Sequence, residues 1–502
     1  MLTGWQQLLS AAQAPTSDFL TACANPAQAQ ASLLARIIKR NADTQFGRRH
    51  DFDRLHVPAD FQSSVPVTTY EDYRALIDDI ADGAQNVLTR DQVVAFEETG
   101  GTSSGGKLIP YTASGLSGFR SAVLPWLANL ASISPGAVEG PCYVTISPAT
   151  RQPRTTPAGI PVGLQSEAAY LGSDLTSSLL AVLAVSPEIG SVSDVDDWRR
   201  ATLAALISQP DLSFISIWSP TFLTMLLRAL RDDCDAILNR LAPEHRRRFE
   251  FALAGADPLA SALWPDLAVI SCWADGSSRS LAAQLAQMCP HTTVQPKGLL
   301  ATEAAVTIPF APGKGGLPAL TSTFLEFVDA ADDLYLVHEL EAGSAYRVLV
   351  TTEAGLYRYD LGDQVRCIGH QGKVPRLVFE GRASIRSDLV GEKLDEAFVA
   401  QVLEPIPVAA MLVARNTPRA HYELWLDTDD LQIELTALAS DMERALSCNP
   451  QYAHARKLGQ LGDLVILPKP GFIAEMQSVK LSRGSRLGDQ KHTSLVPVDV
   501  LQ

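Results

Sequence analysis

The stretch Thr99-Gly-Gly-Thr-Ser-Ser-Gly-Gly-Lys107-Leu-Ile-Pro110 crowds four glycines, four hydroxyl side chains and one lysine into its first nine residues. Glycine lets neighbouring backbone N–H groups turn toward a bound anion, and hydroxyls and an ammonium add donors, so this composition suits phosphate. Three chemistries claim such a loop. Gly101 to Lys107 reads as G-x-x-x-x-G-K, but that motif continues with a magnesium-ligating Ser or Thr and runs into a helix. Leu108 has no ligating atom, and Pro110 biases Ile109 toward extended geometry. Gly101 to Gly105 also reads as the G-x-S-x-G nucleophile elbow around Ser103, which needs a strand before it and a helix directly after it. The strand is present in Val93-Val-Ala-Phe96, apolar and β-branched, whereas Leu108-Ile-Pro-Tyr111 has strand character. The third reading is a phosphate-binding turn between two strands. A glycine-rich surface hairpin without a ligand has the same composition.

Outward from this loop, helical spacing of apolar residues predicts helices over 32–42, 70–80 and 114–130. Cys142–Ile146, Phe214–Trp218 and Val269–Trp273 read as buried strands, and 220–230 and 278–288 as the helices following the latter two. This alternation predicts an α/β fold with largely parallel sheets. Beyond Glu303 the pattern becomes short strands separated by turns, at 306–308, 320–324, 334–337, 346–351, 364–368 and 376–379, an antiparallel block. After Gly381-Arg382 the chain restarts as an α+β unit, with helices at 394–403 and 431–446 and strands at 411–414, 422–426 and 463–467.

At 502 residues, two or more domains are expected. The 41 basic and 56 acidic residues give a net charge of −15, which argues against nucleic acid as the main partner. Seven scattered cysteines without a C-x-x-C suggest neither a disulfide framework nor a zinc site, and buried thiols in a reducing cytoplasm are the simple expectation. The start, Met-Leu-Thr-Gly-Trp-Gln-Gln, lacks the basic and apolar regions of a signal peptide. No run reaches the roughly 18 apolar residues of a membrane span.

Four further segments carry chemistry. In Gly355-Leu-Tyr357-Arg358-Tyr-Asp-Leu-Gly-Asp363, a carboxylate after glycine can accept two hydrogen bonds from vicinal ribose hydroxyls. A turn with a solvated aspartate is the alternative, with Arg358 in a structural ion pair. In Gly298-Leu-Leu-Ala-Thr302-Glu303, the glutamate can face a magnesium ion, or the segment is an ordinary turn. Phe379-Glu-Gly381-Arg382 with Asp388-Leu-Val-Gly391-Glu-Lys393 suits a hinge or a plain linker. Arg483-Gly-Ser-Arg-Leu-Gly-Asp-Gln490-Lys491 can deliver a lysine to a site elsewhere, or it is a solvated loop.

In this order the segments resemble the adenylate-forming superfamily, and most nearly the auxin-responsive acyl-acid amido synthetases (the Gretchen Hagen family). Thr44–His50, Ser64–Asp72 and Ile217–Pro220 are also similar to that family's segments, so the resemblance runs from about residue 30 to the end. It implies the adenylate-forming architecture: a large N-terminal ATP- and acyl-binding domain (1–381), with parallel-rich sheets plus an antiparallel block, and a small mobile α+β domain (382–502). It implies ATP and magnesium, and two small substrates, a carboxylic acid and an amino acid. The acid is activated as its adenylate and passed to the amine. A thiol acceptor, as in acyl-CoA ligases, and a nucleotide-binding protein with a degenerate site are the rival readings. No nucleic-acid or membrane partner is expected.

Residue by residue, the resemblance implies that Thr99, Gly100, Gly101, Thr102, Ser103 and Gly105 hold the ATP phosphates. Thr302 and Glu303 lie at the AMP phosphate and magnesium, Tyr357 and Asp363 at the nucleoside, and Arg382 with Ser384 at the pivot. Lys491 is the mobile catalytic lysine, with Lys480 as the alternative. Two departures stand out: Leu299 and Leu300 replace the usual adenine-stacking aromatic, and Asp489-Gln490-Lys491-His-Thr493 replaces Gln-x-Lys-x-Pro. The acid pocket is expected along 114–130, 159–170 and 218–224, near strand ends where α/β ligands bind. There Phe119, Tyr170, Trp218 and Phe222 either wall an aromatic acid or pack in the core. Arg120 either meets a second acidic group or forms a surface ion pair.

Overall fold

The computed structural model describes residues 2–99, 106–149, 154–164, 167–382, 385–417, 419–429, 434–482 and 487–498. A four-stranded parallel sheet runs Cys142–Val144, Phe214–Ser216, Val269–Cys272, Thr293–Pro296, each strand beside its successor. Its apolar strands alternate with helices such as Pro220–Asp232, whose proline sits in the first turn where no N–H is needed. Tyr143, Ile215, Ile217, Phe222, Leu226, Ile270 and Leu285 form its core. The fourth strand, Thr293–Pro296, is not among the expected ones, because its Thr-Val-Gln-Pro sequence is exposed at both ends, half-buried between, and carries no buried-strand pattern.

The antiparallel block is a seven-stranded sheet in the order Leu334–Leu336, Phe324–Val328, Ala345–Thr351, Tyr359–Gln371, Val374–Arg382, Gly316–Pro318, Thr307–Pro309. The strand expected at 320–324 is instead a turn, and the strand begins at Phe324. Gln30 explains the displacement. From the helix Pro26–Asn41 its amide donates to the carbonyls of Leu320 and Thr323 and accepts from the N–H of Leu325. The preceding helix, Leu2–Ala24, is also not among the expected ones. Its Trp5, Leu8 and Phe19 are buried, and Trp5 Nε1 donates to Gly140 O at 2.8 Å.

A third sheet pairs Val93–Glu98 with Leu108–Thr112 and continues through the short strands Pro161–Val162 and Arg154–Thr155. The C-terminal part holds a mixed sheet, Val465–Pro468, His421–Leu426, Ala410–Arg415, Leu495–Val496, with its own apolar core. Leu281 of the preceding part packs with Ala409, Met411 and Phe472 of this one. Among the described residues no helix is long and apolar enough to cross a membrane.

Candidate active site

The strands Val93–Glu98 and Leu108–Thr112 are antiparallel, with Glu98 opposite Leu108, and Thr99 N–H closes onto Lys107 O at 3.0 Å. A strand therefore follows the glycine-rich stretch, which removes both the helix-dependent Walker and nucleophile-elbow readings and leaves a hairpin. Thr99 stands at its root; Gly100, Gly101, Thr102, Ser103 and Gly105 lie outside the described residues. Tyr70 supports the exit side: its hydroxyl accepts from Leu108 N–H, and Lys107 lies over its ring. Tyr111, on the exit strand, donates from its hydroxyl to Thr302 O at 2.8 Å, so the hairpin carries the Thr302-Glu303 turn.

Four charged residues from four segments meet there. Asp363 and Arg382 are cross-strand partners on Tyr359–Gln371 and Val374–Arg382. Arg382 Nε lies 3.3 Å from Asp363 Oδ1, an ion pair whose geometry satisfies neither atom as a hydrogen bond. Asp363 is only 2% exposed, so it keeps a buried acceptor free for an incoming donor. Burial raises the Glu303 carboxyl above its ordinary range and nearby Asp363 raises it further, while its own backbone N–H, Lys491 and Arg382 oppose. Lys491 is exposed as a whole residue, while protein groups surround its ammonium. That desolvation lowers its pKa and Arg382 lowers it further, against Asp363, Glu303 and Glu396. The same ammonium lies over the Trp273 ring, 5.5 Å from its centroid. Tyr359 ties this group to the hairpin: burial raises its hydroxyl, and the charges of Glu303 and Tyr70 both add to the rise.

Lys480 occupies a different position. Its Nζ donates to Lys491 O at 2.6 Å, bracing the backbone of the lysine segment. Ser277 Oγ donates to His492 O at 2.8 Å from the other side. The proposed hinge glycine Gly381 is required by close packing, since a Cβ there would lie 2.8 Å from Ala397 Cα. Ser384 lies outside the described residues. The segment from Asp388 to Lys393 is a turn closed by Glu392, whose buried carboxylate accepts from the N–H groups of Leu389 and Val390, both at 2.8 Å, and from the Tyr422 hydroxyl.

Two expected site residues are corrected. Tyr357 is fully buried, stacked on Phe46 at 4.7 Å, with its hydroxyl donating to Leu88 O, so its ring is a core side chain in place of the open nucleoside-facing position expected. Its neighbour Arg358 is a buried clamp, pairing with Glu326 at 3.1 Å and donating to the carbonyls of Gln62 and Val65. Phe222 packs on Trp198 inside the parallel-sheet core and walls no pocket. Arg120 takes the ion-pair alternative, with Asp174 and Leu171 O.

Phe119 and Tyr170 do come together, with ring centroids 5.5 Å apart, and Tyr111 joins Tyr170 at 5.8 Å, making a half-buried aromatic wall beside Thr302. Trp218 stands at the ends of the parallel strands with Trp273 at 6.1 Å, and the buried Lys297 ammonium lies 4.9 Å from the Trp218 ring and bonds Ser216 Oγ. Leu299 is core, its N–H bonded to Thr307 Oγ1. Tyr111, Trp273 and Glu396 escape sequence reading because the partners that place them at the site, Thr302, Lys491 and Thr493 respectively, lie far along the chain; Tyr111, directly after the loop, had a positional signal.

Residues 16–248 match the model of the GH3 family N-terminal domain, and residues 316–382 that of the GH3 family central domain. Indole-3-acetic acid-amido synthetase GH3.4 of Arabidopsis thaliana is 21% identical over 94% of this chain and 90% of its own length. Indole-3-acetic acid-amido synthetase GH3.15 of the same plant is 24% identical over 93% and 90%. The solved GH3.15 acyl acid amido synthetase in complex with 2,4-DB superposes with a TM-score of 0.85 over 100% of this chain and 96% of that one, at 21% identity. A 2-hydroxyisobutyryl-CoA ligase in the postadenylation state shares the fold more distantly, with a TM-score of 0.55 at 11% identity over 94% and 89%. With the two family models together covering most of the sequence and the architecture shared end to end, the chain belongs to the GH3 family, within the adenylate-forming fold.

Proposed function

We propose that this protein is an ATP-dependent acyl acid–amino acid ligase: it adenylates a small carboxylic acid, aromatic or indolic in character, and transfers the acyl group to an amino acid amine. The observation that carries the proposal is the convergence of Glu303, Asp363, Arg382 and Lys491 beside a glycine-rich hairpin.

A carboxylate is a poor electrophile because it is anionic and resonance-stabilised. In the first step one of its oxygens attacks the α-phosphorus of ATP and the bond to pyrophosphate breaks, giving acyl-AMP. Negative charge spreads over the phosphoryl oxygens, so the protein's work is positioning and electrostatic stabilisation. In this reading the hairpin cradles the phosphates, the Asp363 carboxylate accepts from the ribose hydroxyls, and Lys491 and Arg382 face the developing charge. Glu303 is the residue that would hold magnesium. A single enclosed carboxylate plus phosphate oxygens is a donor set this ion favours, and the ion supplies charge neutralisation. In the second step an unprotonated amine attacks the acyl carbon, loses its proton, and AMP departs.

The aromatic wall of Tyr111, Phe119 and Tyr170 supports an aryl or indolic acid. Residues 382–502 are the unit proposed to move between the steps, and the need for ATP fits a cytoplasmic location. The test is pyrophosphate release from ATP and magnesium with a panel of aryl and indolic acids, with and without mixed amino acids. Acid-dependent release that rises with an amino acid supports the reading. Release that rises with CoA instead makes the enzyme a thioester ligase, and no release with any acid sinks both.

A further inference from the structure

Resting on that reading, we propose that Glu396 is a positioning residue: it fastens the Lys491 segment to the Arg382 pivot and so holds the lysine in place for acid activation. Glu396 is 4% exposed and opens the helix Glu396–Leu403. The helix does not need its carboxylate, because the preceding Asp395 already caps the first turn by accepting from Phe398 N–H at 2.8 Å. A buried carboxylate is costly unless donors surround it. Among the described residues, the donors to Glu396 come from two places. Oε1 accepts from Thr493 Oγ1 at 2.6 Å and from Ser494 N–H at 3.1 Å, two and three residues after Lys491. Oε2 accepts from Arg382 N–H at 3.3 Å, and Arg382 is the residue whose guanidinium meets Asp363. One carboxylate thus joins the end of the strand bearing Arg382 to the segment bearing Lys491. The close packing of Ala397 on Gly381 fixes the distance it spans.

The segment needs such an anchor. Gln490, directly before the lysine, is 5% exposed, and neither of its amide atoms has a hydrogen-bond partner among the described residues. A buried unsatisfied amide disfavours the position the segment occupies. The other tethers on the segment go elsewhere: Lys480 and Ser277 donate to the carbonyls of Lys491 and His492, His492 Nε2 meets Ala410 O, and Leu412 N–H donates to Ser494 O. None of them touches Arg382, so Glu396 is the group that makes the seating of the lysine depend on the pivot.

The test compares the two half-reactions in Glu396→Ala, Glu396→Gln and Thr493→Val. Acid-dependent ATP–pyrophosphate exchange reads activation, aminolysis of a chemically prepared acyl-adenylate reads transfer, and hydrogen–deuterium exchange of a peptide spanning 491–496 reads the anchor itself. Glu396→Ala is expected to lower exchange about 10- to 100-fold, the scale of a misplaced catalytic group, while aminolysis stays within about threefold and amide protection at 491–494 is lost. Glu396→Gln, which keeps one acceptor oxygen, and Thr493→Val are expected to fall between that variant and wild type. Equal loss in both half-reactions, unchanged exchange, or unchanged protection in Glu396→Ala overturns the proposal. If Glu396→Ala does not fold, the same split in Thr493→Val decides. If the wild-type protein exchanges with no acid, the functional reading fails, and the protection measurement alone judges the anchor.

Discussion

Lys491→Ala is the sharpest perturbation of the proposed chemistry. The Lys491 ammonium is one of two cations around Glu303 and Asp363, the other being Arg382. Removing it leaves Arg382, the hairpin and Asp363 in place, and these lie on segments that the substitution does not touch. ATP affinity should therefore change by less than about fivefold, since nucleotide contacts in the ground state remain. The transition state loses an aimed positive charge in an enclosed site. Loss of one such group costs about 10²- to 10³-fold in rate, or about 2.7 to 4 kcal/mol. Because Lys491 holds the Glu303 carboxyl down, its removal lets that carboxyl rise further, and the acid limb of the exchange profile should move to higher pH. The assay is acid-dependent ATP–pyrophosphate exchange across pH, beside calorimetric ATP binding. Lys480→Ala is the control: it removes a brace on the Lys491 carbonyl and should cost about tenfold or less, in line with a modest hydrogen bond. A Lys491→Ala protein that exchanges pyrophosphate within about threefold of wild type, or a Lys480→Ala protein that loses more, refutes the assignment.

Glu326→Ala should lower the thermal midpoint sharply, at a cost of about 3 to 5 kcal/mol, because it strands the Arg358 guanidinium in the core. Replacing both partners with apolar residues of similar volume should recover much of that loss in the same melt. Asp275→Asn tests a buried carboxyl that burial raises to about 6 from an ordinary 3.8. The folded form binds this proton more tightly than the unfolded form, so the contribution is favourable at low pH and is lost as pH rises through that interval. The Asn variant should match wild type at pH 4 and melt higher at pH 7; an equal or lower midpoint at pH 7 counts against the assignment. Tyr111→Phe frees the Thr302 carbonyl and should reduce pyrophosphate exchange by about 5- to 10-fold, with a stability change near 1 kcal/mol. A variant with undiminished exchange would remove Tyr111 from the site.

Much of the architecture is legible in the residues. Buried apolar runs mark three of the four parallel strands, and helical spacing follows two of them. The change of pattern after Glu303 marks the antiparallel sheet, and Leu108-Ile-Pro110 after the glycines marks a hairpin, not a helix. Thr293–Pro296 lacked a buried-strand pattern because it is exposed at both ends and half-buried between. The strand start at Phe324 is set by Gln30, nearly three hundred residues earlier in sequence, which no local window contains.

For the site, the sequence by itself determined the chemical inventory: a glycine and hydroxyl loop, Thr302-Glu303, Asp363, Arg382 and a late lysine. These are local motifs, and residue type alone limits what each can do. Only the tertiary structure decided which of them meet. It paired Asp363 with Arg382 through strand register, seated Lys491 beside Glu303 and assigned Lys480 to a brace. It also moved Tyr357, Arg358 and Phe222 into the core. Burial and partnership depend on what the rest of the chain brings to a residue. Glu396 gives no signal in its own neighbourhood, because the donors it accepts from are assembled only when the chain end folds back beside Arg382.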